Sequence, residues 1–247
     1  MIDESKLRID DLQLNGFKLA QEPGKFCFGT DSVMLAEYAY RQSKKNIKIM
    51  ELCCGNGAVS MLMLARENSF DITGVEIQND VCELANYNAK LNGVESKFRA
   101  VNSDLTILGK KYDGIFDMVV ANPPYMAKGT GLTSPKENNM LSREESSADF
   151  DAIAEAAAAL LKDKGKFVFV QKANRTAELI KILGQNRLEL KNLQTVQSKP
   201  NQRAKLALFT AAKNGGIWCD IEPPIIIYNE DGSYTDELLK IYHVEKK

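Results

Sequence analysis

Histidine is almost missing from this chain of 247 residues: His243, close to the C-terminus, stands alone. Catalysis by a histidine base and a histidine-rich metal centre are therefore excluded as working hypotheses, and no metal site is expected. Cysteine is sparse and unpaired in pattern. Cys27, Cys53, Cys54, Cys82 and Cys219 are odd in number and contain no C-x-x-C, so neither a zinc site nor a disulfide framework is suggested. Free thiols that pack as small apolar groups are the reading. Long apolar runs are also lacking. No stretch approaches the ~18 consecutive apolar residues that span a bilayer, and the opening M-I-D-E-S-K has no signal-peptide core. The expectation is a cytoplasmic protein with no membrane partner. Nor is there an excess of one charge: the net value of −1 argues against a general polyanion binder, although a local basic face would suffice for nucleic acid.

What is present is an ordinary globular balance, 44 % apolar and 26 % charged, in a length that suits one domain with embellishments. We expect residues 1–40 to form an N-terminal hairpin and helix that pack on a body of residues 41–247. The hairpin occupies residues 1–28, with Pro23-Gly24 as a turn signal, and a short amphipathic helix runs from Asp31 to Tyr40. Strands and helices then alternate. Strands are read at Ile47 to Leu52, Asp71 to Glu76, Lys97 to Val101, Ile115 to Ala121 and Lys166 to Gln171. Helices are read at Ala58 to Arg66, Asn79 to Leu91, Asp149 to Leu161 and Ala173 to Leu183. Such alternation indicates right-handed βαβ units and a parallel sheet. Leu188 to Val196, Ala204 to Ala211 and Ile225 to Tyr228 read as strands that close the sheet. The polar tract Gly129 to Ser147 reads as a long loop, a kind that is usually functional or disordered.

Chemistry-bearing residues gather at the strand ends. In E-L-C-C-G-N-G, Glu51 to Gly57, the glycines Gly55 and Gly57 let the backbone turn sharply and approach a ligand. Glu51 suits a cationic group such as an amine. Glu76 ends the next strand and can accept bonds from both hydroxyls of a ribose. Asp104, after the third strand, can accept from an adenine amine. A dinucleotide-binding unit shares the glycine turn and the acid, but Ser60 stands where a full G-x-G-x-x-G needs its third glycine.

A second constellation, Asn122-Pro123-Pro124-Tyr125, follows the buried run Ile115 to Ala121. Two prolines fix φ and remove two N–H donors, leaving a stiff loop with unpaired carbonyls. Asn122 adds a side-chain acceptor and Tyr125 a flat aromatic face. Together they can hold a planar –NH2 group with two acceptors and a stacking surface. The plainer reading, an ordinary proline turn, is disfavoured by the buried strand before it.

With these motifs quoted, the chain resembles the class I S-adenosylmethionine-dependent methyltransferases, and among them the bacterial tRNA1(Val) adenine-N6 methyltransferase family. Four segments carry the resemblance, in the expected order: F-G-T-D (Phe28 to Asp31), E-L-C-C-G-N-G, G-V-E-I-Q (Gly74 to Gln78) and A-N-P-P-Y (Ala121 to Tyr125). The resemblance implies a Rossmann-like α/β fold, a seven-stranded, mostly parallel sheet with helices on both faces. It implies S-adenosylmethionine as cofactor. Glu51 would meet its amine, with Cys53, Gly55, Asn56 and Gly57 forming the turn against it. Glu76 would bind the ribose and Asp104 the adenine amine, with Ile77 and Leu105 also among the cofactor-binding residues, while Thr30 and Asp31 would support it from the N-terminal side. Asn122, Pro123, Pro124 and Tyr125 would be catalytic. One departure is Cys53, where glycine is usual. The substrate implied is an exocyclic amine, N6 of adenosine in tRNA. N-P-P-Y also serves enzymes that act on a protein glutamine, rRNA or DNA adenine, and a non-catalytic cofactor- or RNA-binding module is the alternative from another class. Lys128, Lys136, Arg143, Lys172, Arg175, Lys199, Arg203 and Lys205 are candidate phosphate contacts, and a monomer or weak homodimer is expected.

Overall fold

The computed structural model describes residues 2–23, 27–123 and 150–243. Two strands, β1 (Arg8–Asp11) and β2 (Lys18–Gln21), pair antiparallel as a separate hairpin. Its turn lies at residues 12–17, not at Pro23-Gly24, of which Gly24 is outside the described residues. Asn15 and Gly16 take positive φ there, at 50° and 76°, and asparagine and glycine tolerate that conformation better than other residues.

The main sheet is built from β3 (Lys48–Leu52), β4 (Asp71–Glu76), β5 (Phe98–Asn102), β6 (Phe116–Ala121), β7 (Leu161–Lys172), β8 (Leu188–Gln197), β9 (Leu206–Lys213) and β10 (Asp220–Ile226). Its order is β10-β8-β9-β7-β6-β3-β4-β5. β9 runs against its neighbours β7 and β8, and every other pairing is parallel. The mostly parallel sheet is as expected, but it has eight strands where seven were expected. The edge strand β10, read from the sequence at Ile225 to Tyr228, pairs with β8 through a register shift between Glu222 and Ile225. Pro223 and Pro224 fall inside that shift, and proline is tolerated in a sheet at an edge or a bulge. The strand begins five residues earlier than the Ile225 to Tyr228 reading and ends two residues earlier.

The helices are α1 (Thr30–Gln42), α2 (Ala58–Arg66), α3 (Asn79–Leu91), α4 (Phe150–Leu160), α5 (Thr176–Gln185) and a short α6 (Asp236–Ile241). Side chains alternate across the strands, so two apolar layers form. Ile49, Met118, Val120 and Val168 share one layer with α1, α2 and α3. Met50, Leu52, Val119, Ala121 and Phe167 share the other with α4 and α5. In that second layer Phe150, Phe167, Phe169 and Phe209 form a stacked run, with centroids 4.8 Å apart between Phe169 and Phe209. The Gly129 to Ser147 reading lies outside the described residues. Among the described residues no helix is long and apolar enough to cross a membrane.

Candidate active site

Register alone brings the sequence motifs together. Leu52 on β3 pairs with Val75 on β4 and with Ala121 on β6. The next residue of each strand is therefore Cys53, Glu76 and Asn122, side by side at the carboxyl edge, where strands lie ~4.8 Å apart. Glu76 in turn pairs with Asn102 on β5, two residues before Asp104. Ligands bind outside this edge in open α/β sheets.

Glu51 lies on the strand face that α2 covers, because it alternates with Met50 and Leu52. It is buried, and its Oε2 accepts from the Ser60 backbone N at 3.2 Å and from the Ser60 hydroxyl. Ser60 sits in the first turn of α2, so the carboxylate also meets the positive helix end. Burial pushes its pKa up to about 8, against the two Ser60 bonds that favour the charge. No lysine or arginine pairs with it among the described residues. A buried acid of this kind matches an incoming ammonium group.

The turn after β3 needs three residues in the left-handed region: Cys53 at φ 55°, Gly55 at 55° and Gly57 at 80°. A side chain at the Cys53 position is strained, because a residue with a Cβ is disfavoured at positive φ. Cys53 is half-buried; its desolvated surroundings, followed by Glu76 and Glu51, push the thiol up to about 12, which disfavours the thiolate. The Gly55 N–H donates to Glu76 Oε2 at 3.0 Å, and the Gln78 N–H to Oε1 at 2.9 Å. Burial raises the Glu76 pKa and these bonds oppose it. A Cβ built on Gly55 meets nothing within 4 Å, so the turn opens there, whereas one on Gly74 would meet Cys54 Sγ at 2.7 Å. Behind the turn, fully buried Asn88 on α3 donates to the Asn56 carbonyl at 2.9 Å and bonds both backbone groups of Ala20 on β2. The Asn56 side-chain nitrogen is buried and has no partner among the described residues.

The remaining positions are placed as follows. Ile77 leaves 48 % of its surface open beside Glu76, while Leu105 is buried. Asp104 caps a 3-10 turn: its Oδ1 accepts from the Thr106 N and hydroxyl, both at 2.8 Å. Thr30 and Asp31 open α1, and Asp31 Oδ1 accepts from the Ser32 N–H at 2.9 Å. Asn122 Nδ2 donates to Ser32 Oγ at 3.1 Å, and Pro123 is buried. Pro124 and Tyr125 lie outside the described residues, as do Lys128, Lys136 and Arg143. The sequence reading gave no role to Ser32, Ser60 or Asn88. Ser60 was visible as the absent third glycine, but the other two carry no local signal.

A family described as "Methyltransferase small domain" matches residues 17–199. The chain belongs to that family. Curated relatives named tRNA1(Val) (adenine(37)-N6)-methyltransferase include one from Shewanella sp. strain MR-4, 25 % identical, with 86 % of this chain and 88 % of that protein covered. Another, from Phocaeicola vulgatus, is 28 % identical over 73 % of this chain and 74 % of its own length. A third, from Haemophilus influenzae, is 25 % identical, covering 91 % and 93 %. Among solved structures, one described as a predicted O-methyltransferase from Agrobacterium tumefaciens shares the fold with a TM-score of 0.70 and 19 % identity, over 86 % of this chain and 95 % of that one. A 4+2 cyclase shares it at a TM-score of 0.57 and 14 % identity, over 79 % of this chain and 86 % of that one. The fold by itself therefore does not dictate the reaction; the site must.

Proposed function

We propose that this protein methylates the exocyclic N6 amine of an adenosine in tRNA, with S-adenosylmethionine as donor. The observation that carries the reading is the pairing of Leu52 with Ala121, which sets the glycine turn and Asn122 on neighbouring strands. The relatives' names supply the substrate class.

The donor set fits the cofactor. Glu51 is a buried acid that an ammonium group would ionise, Gly55 opens the turn to a ligand, and the Asn56 amide nitrogen is a buried donor with no acceptor among the described residues. When bound, the cofactor supplies an electrophilic methyl group on a sulfonium. Glu51 would hold its ammonium, and Cys53 to Gly57 its methionine part. Glu76 would accept from the ribose hydroxyls with Ile77 packed beside it, Asp104 would accept from the adenine amine through the oxygen not used in capping, and Leu105 would floor the ring. Thr30 and Asp31 would close the N-terminal side.

An adenine amine is a weak nucleophile because its lone pair is delocalised into the ring. The Asn122 Oδ1 and the Pro123 carbonyl would accept its two hydrogens, pyramidalise the nitrogen and aim its lone pair at the methyl carbon. As the N–C bond forms, the methyl–sulfur bond would break and the donor would leave as a neutral thioether; the methylated nitrogen, then cationic and acidic, would pass one proton to water, so no strong base is needed, and alignment supplies most of the rate. Tyr125 would stack on the base once it leaves its helix, a contact worth roughly 1–3 kcal/mol. Lys172, Arg175, Lys199, Arg203 and Lys205 follow the ends of β7 and β8 or precede β9, on the same edge of the sheet, where they could meet phosphates. The enzyme would work in the cytoplasm as a monomer or weak homodimer.

The test is incubation with labelled S-adenosylmethionine and separate pools of tRNA, rRNA, DNA and protein, followed by nucleoside analysis. Labelled N6-methyladenosine from tRNA is expected, lost in Asn122→Ala while cofactor binding by calorimetry persists. Label in another pool would reassign the substrate, and undiminished transfer by Asn122→Ala would end the proposed role.

A further inference from the structure

We infer that Ser32 is a positioning residue for Asn122, an inference that rests on the methyl-transfer reading above. The two residues are 90 apart in sequence, yet Asn122 Nδ2 donates to Ser32 Oγ at 3.1 Å. The hydroxyl is held firmly. Ser32 is only 3 % exposed in the first turn of α1, and its N–H is bonded both to the Gly29 carbonyl at 3.1 Å and to Asp31 Oδ1 at 2.9 Å. Asn122 is half-buried, so its bond to Ser32 is partly screened from water, and hydrogen bonds at lower dielectric are stronger than fully exposed ones.

A planar carboxamide has one donor end and one acceptor end, and rotation about χ2 by half a turn exchanges them. Asn122 serves the proposed reaction only with its oxygen toward the amine, since the flipped side chain would set –NH2 against –NH2. By accepting from Nδ2, Ser32 anchors the donor end of the amide on α1 and fixes the side chain with its other end, Oδ1, turned away from that helix. α1 thus acts on the chemistry through one oxygen, beyond the cofactor support that the resemblance assigns to Thr30 and Asp31.

The experiment compares Ser32→Ala and Ser32→Thr in single-turnover methylation of tRNA, with cofactor affinity measured by calorimetry. Ser32→Ala should lower the transfer rate about tenfold, the scale of one oriented hydrogen bond, with cofactor affinity unchanged. Ser32→Thr, which keeps the oxygen, should recover most of the rate. The side-chain amide resonances of Asn122, assigned by their loss in Asn122→Asp, should shift in Ser32→Ala, and this readout does not depend on turnover or on the fit of a threonine methyl. An unaltered rate in Ser32→Ala, or amide resonances that do not move, would overturn the inference. Wild-type protein that methylates no pool while the resonances still shift would instead overturn the methyl-transfer reading and leave the contact as a structural one.

Discussion

On the proposed reading, in which Glu51 holds the ammonium of the cofactor, cofactor affinity should depend on pH. The group is buried, bonded by Ser60 and unpaired by any cation among the described residues, and its pKa stands at about 8. An ammonium ligand selects the ionised form, so apparent affinity scales with the ionised fraction. That fraction is about one in a hundred at pH 6 and about one half at pH 8, so the dissociation constant should tighten about 50-fold over the interval. One proton should leave per ligand bound near pH 6. Calorimetry with S-adenosylhomocysteine, repeated in buffers of different ionisation enthalpy, reads both quantities. Glu51→Gln should bind weakly with a flat profile. A flat wild-type profile, or an equal slope in Glu51→Gln, would refute the argument. The ligand-free protein should behave in the complementary way. Its folded Glu51 pKa lies above the unfolded value, so the associated stability is full below the ordinary carboxylate range and is lost as pH rises through about 8. Thermal melts of Glu51→Gln should lack that loss.

Other outcomes follow from the turn and its supports. Cys53→Gly should raise stability by about 1 kcal/mol, because a positive φ strains any residue with a Cβ; a lower denaturation midpoint would contradict it. Gly74→Ala should destabilise by about 1–3 kcal/mol, since the new methyl meets Cys54 Sγ at 2.7 Å and Phe98 at 3.1 Å; chemical denaturation reads the loss. Asn88→Ala should cost about 2–3 kcal/mol by leaving buried backbone groups of Ala20 and Asn56 unsatisfied, and a change under 1 kcal/mol would show that water replaces the amide.

The strands around the site were legible because each is an apolar run ended by a polar signal, and Glu51, Glu76 and Asn122 fall at those ends. Their mutual placement was readable only as far as parallel order implies it; the register of Leu52 with Val75 and Ala121 is a tertiary fact. Ser32 and Asn88 were opaque for the same reason, since their partners stand 90 and 68 or 32 residues away. The departure at Cys53 was visible as chemistry, but its meaning depends on a dihedral angle. β10 was displaced because Pro223-Pro224 reads as a strand breaker, a rule that weakens at a sheet's rim. The hairpin turn was read at Pro23-Gly24 alone, whereas Asn15-Gly16, a pair that suits left-handed backbone, makes it.

The prolines of β10 also bear on how molecules of this protein meet one another. A last strand normally offers a ladder of free amides to any passing chain, which is how sheets seed aggregates. Here two consecutive positions have no amide hydrogen to offer, and the kink between Glu222 and Ile225 throws the ladder out of step. Shearing away this strand would bare the backbone groups of β8 that now pair with Asp220 to Ile226 and offer that flank as a template for self-stacking.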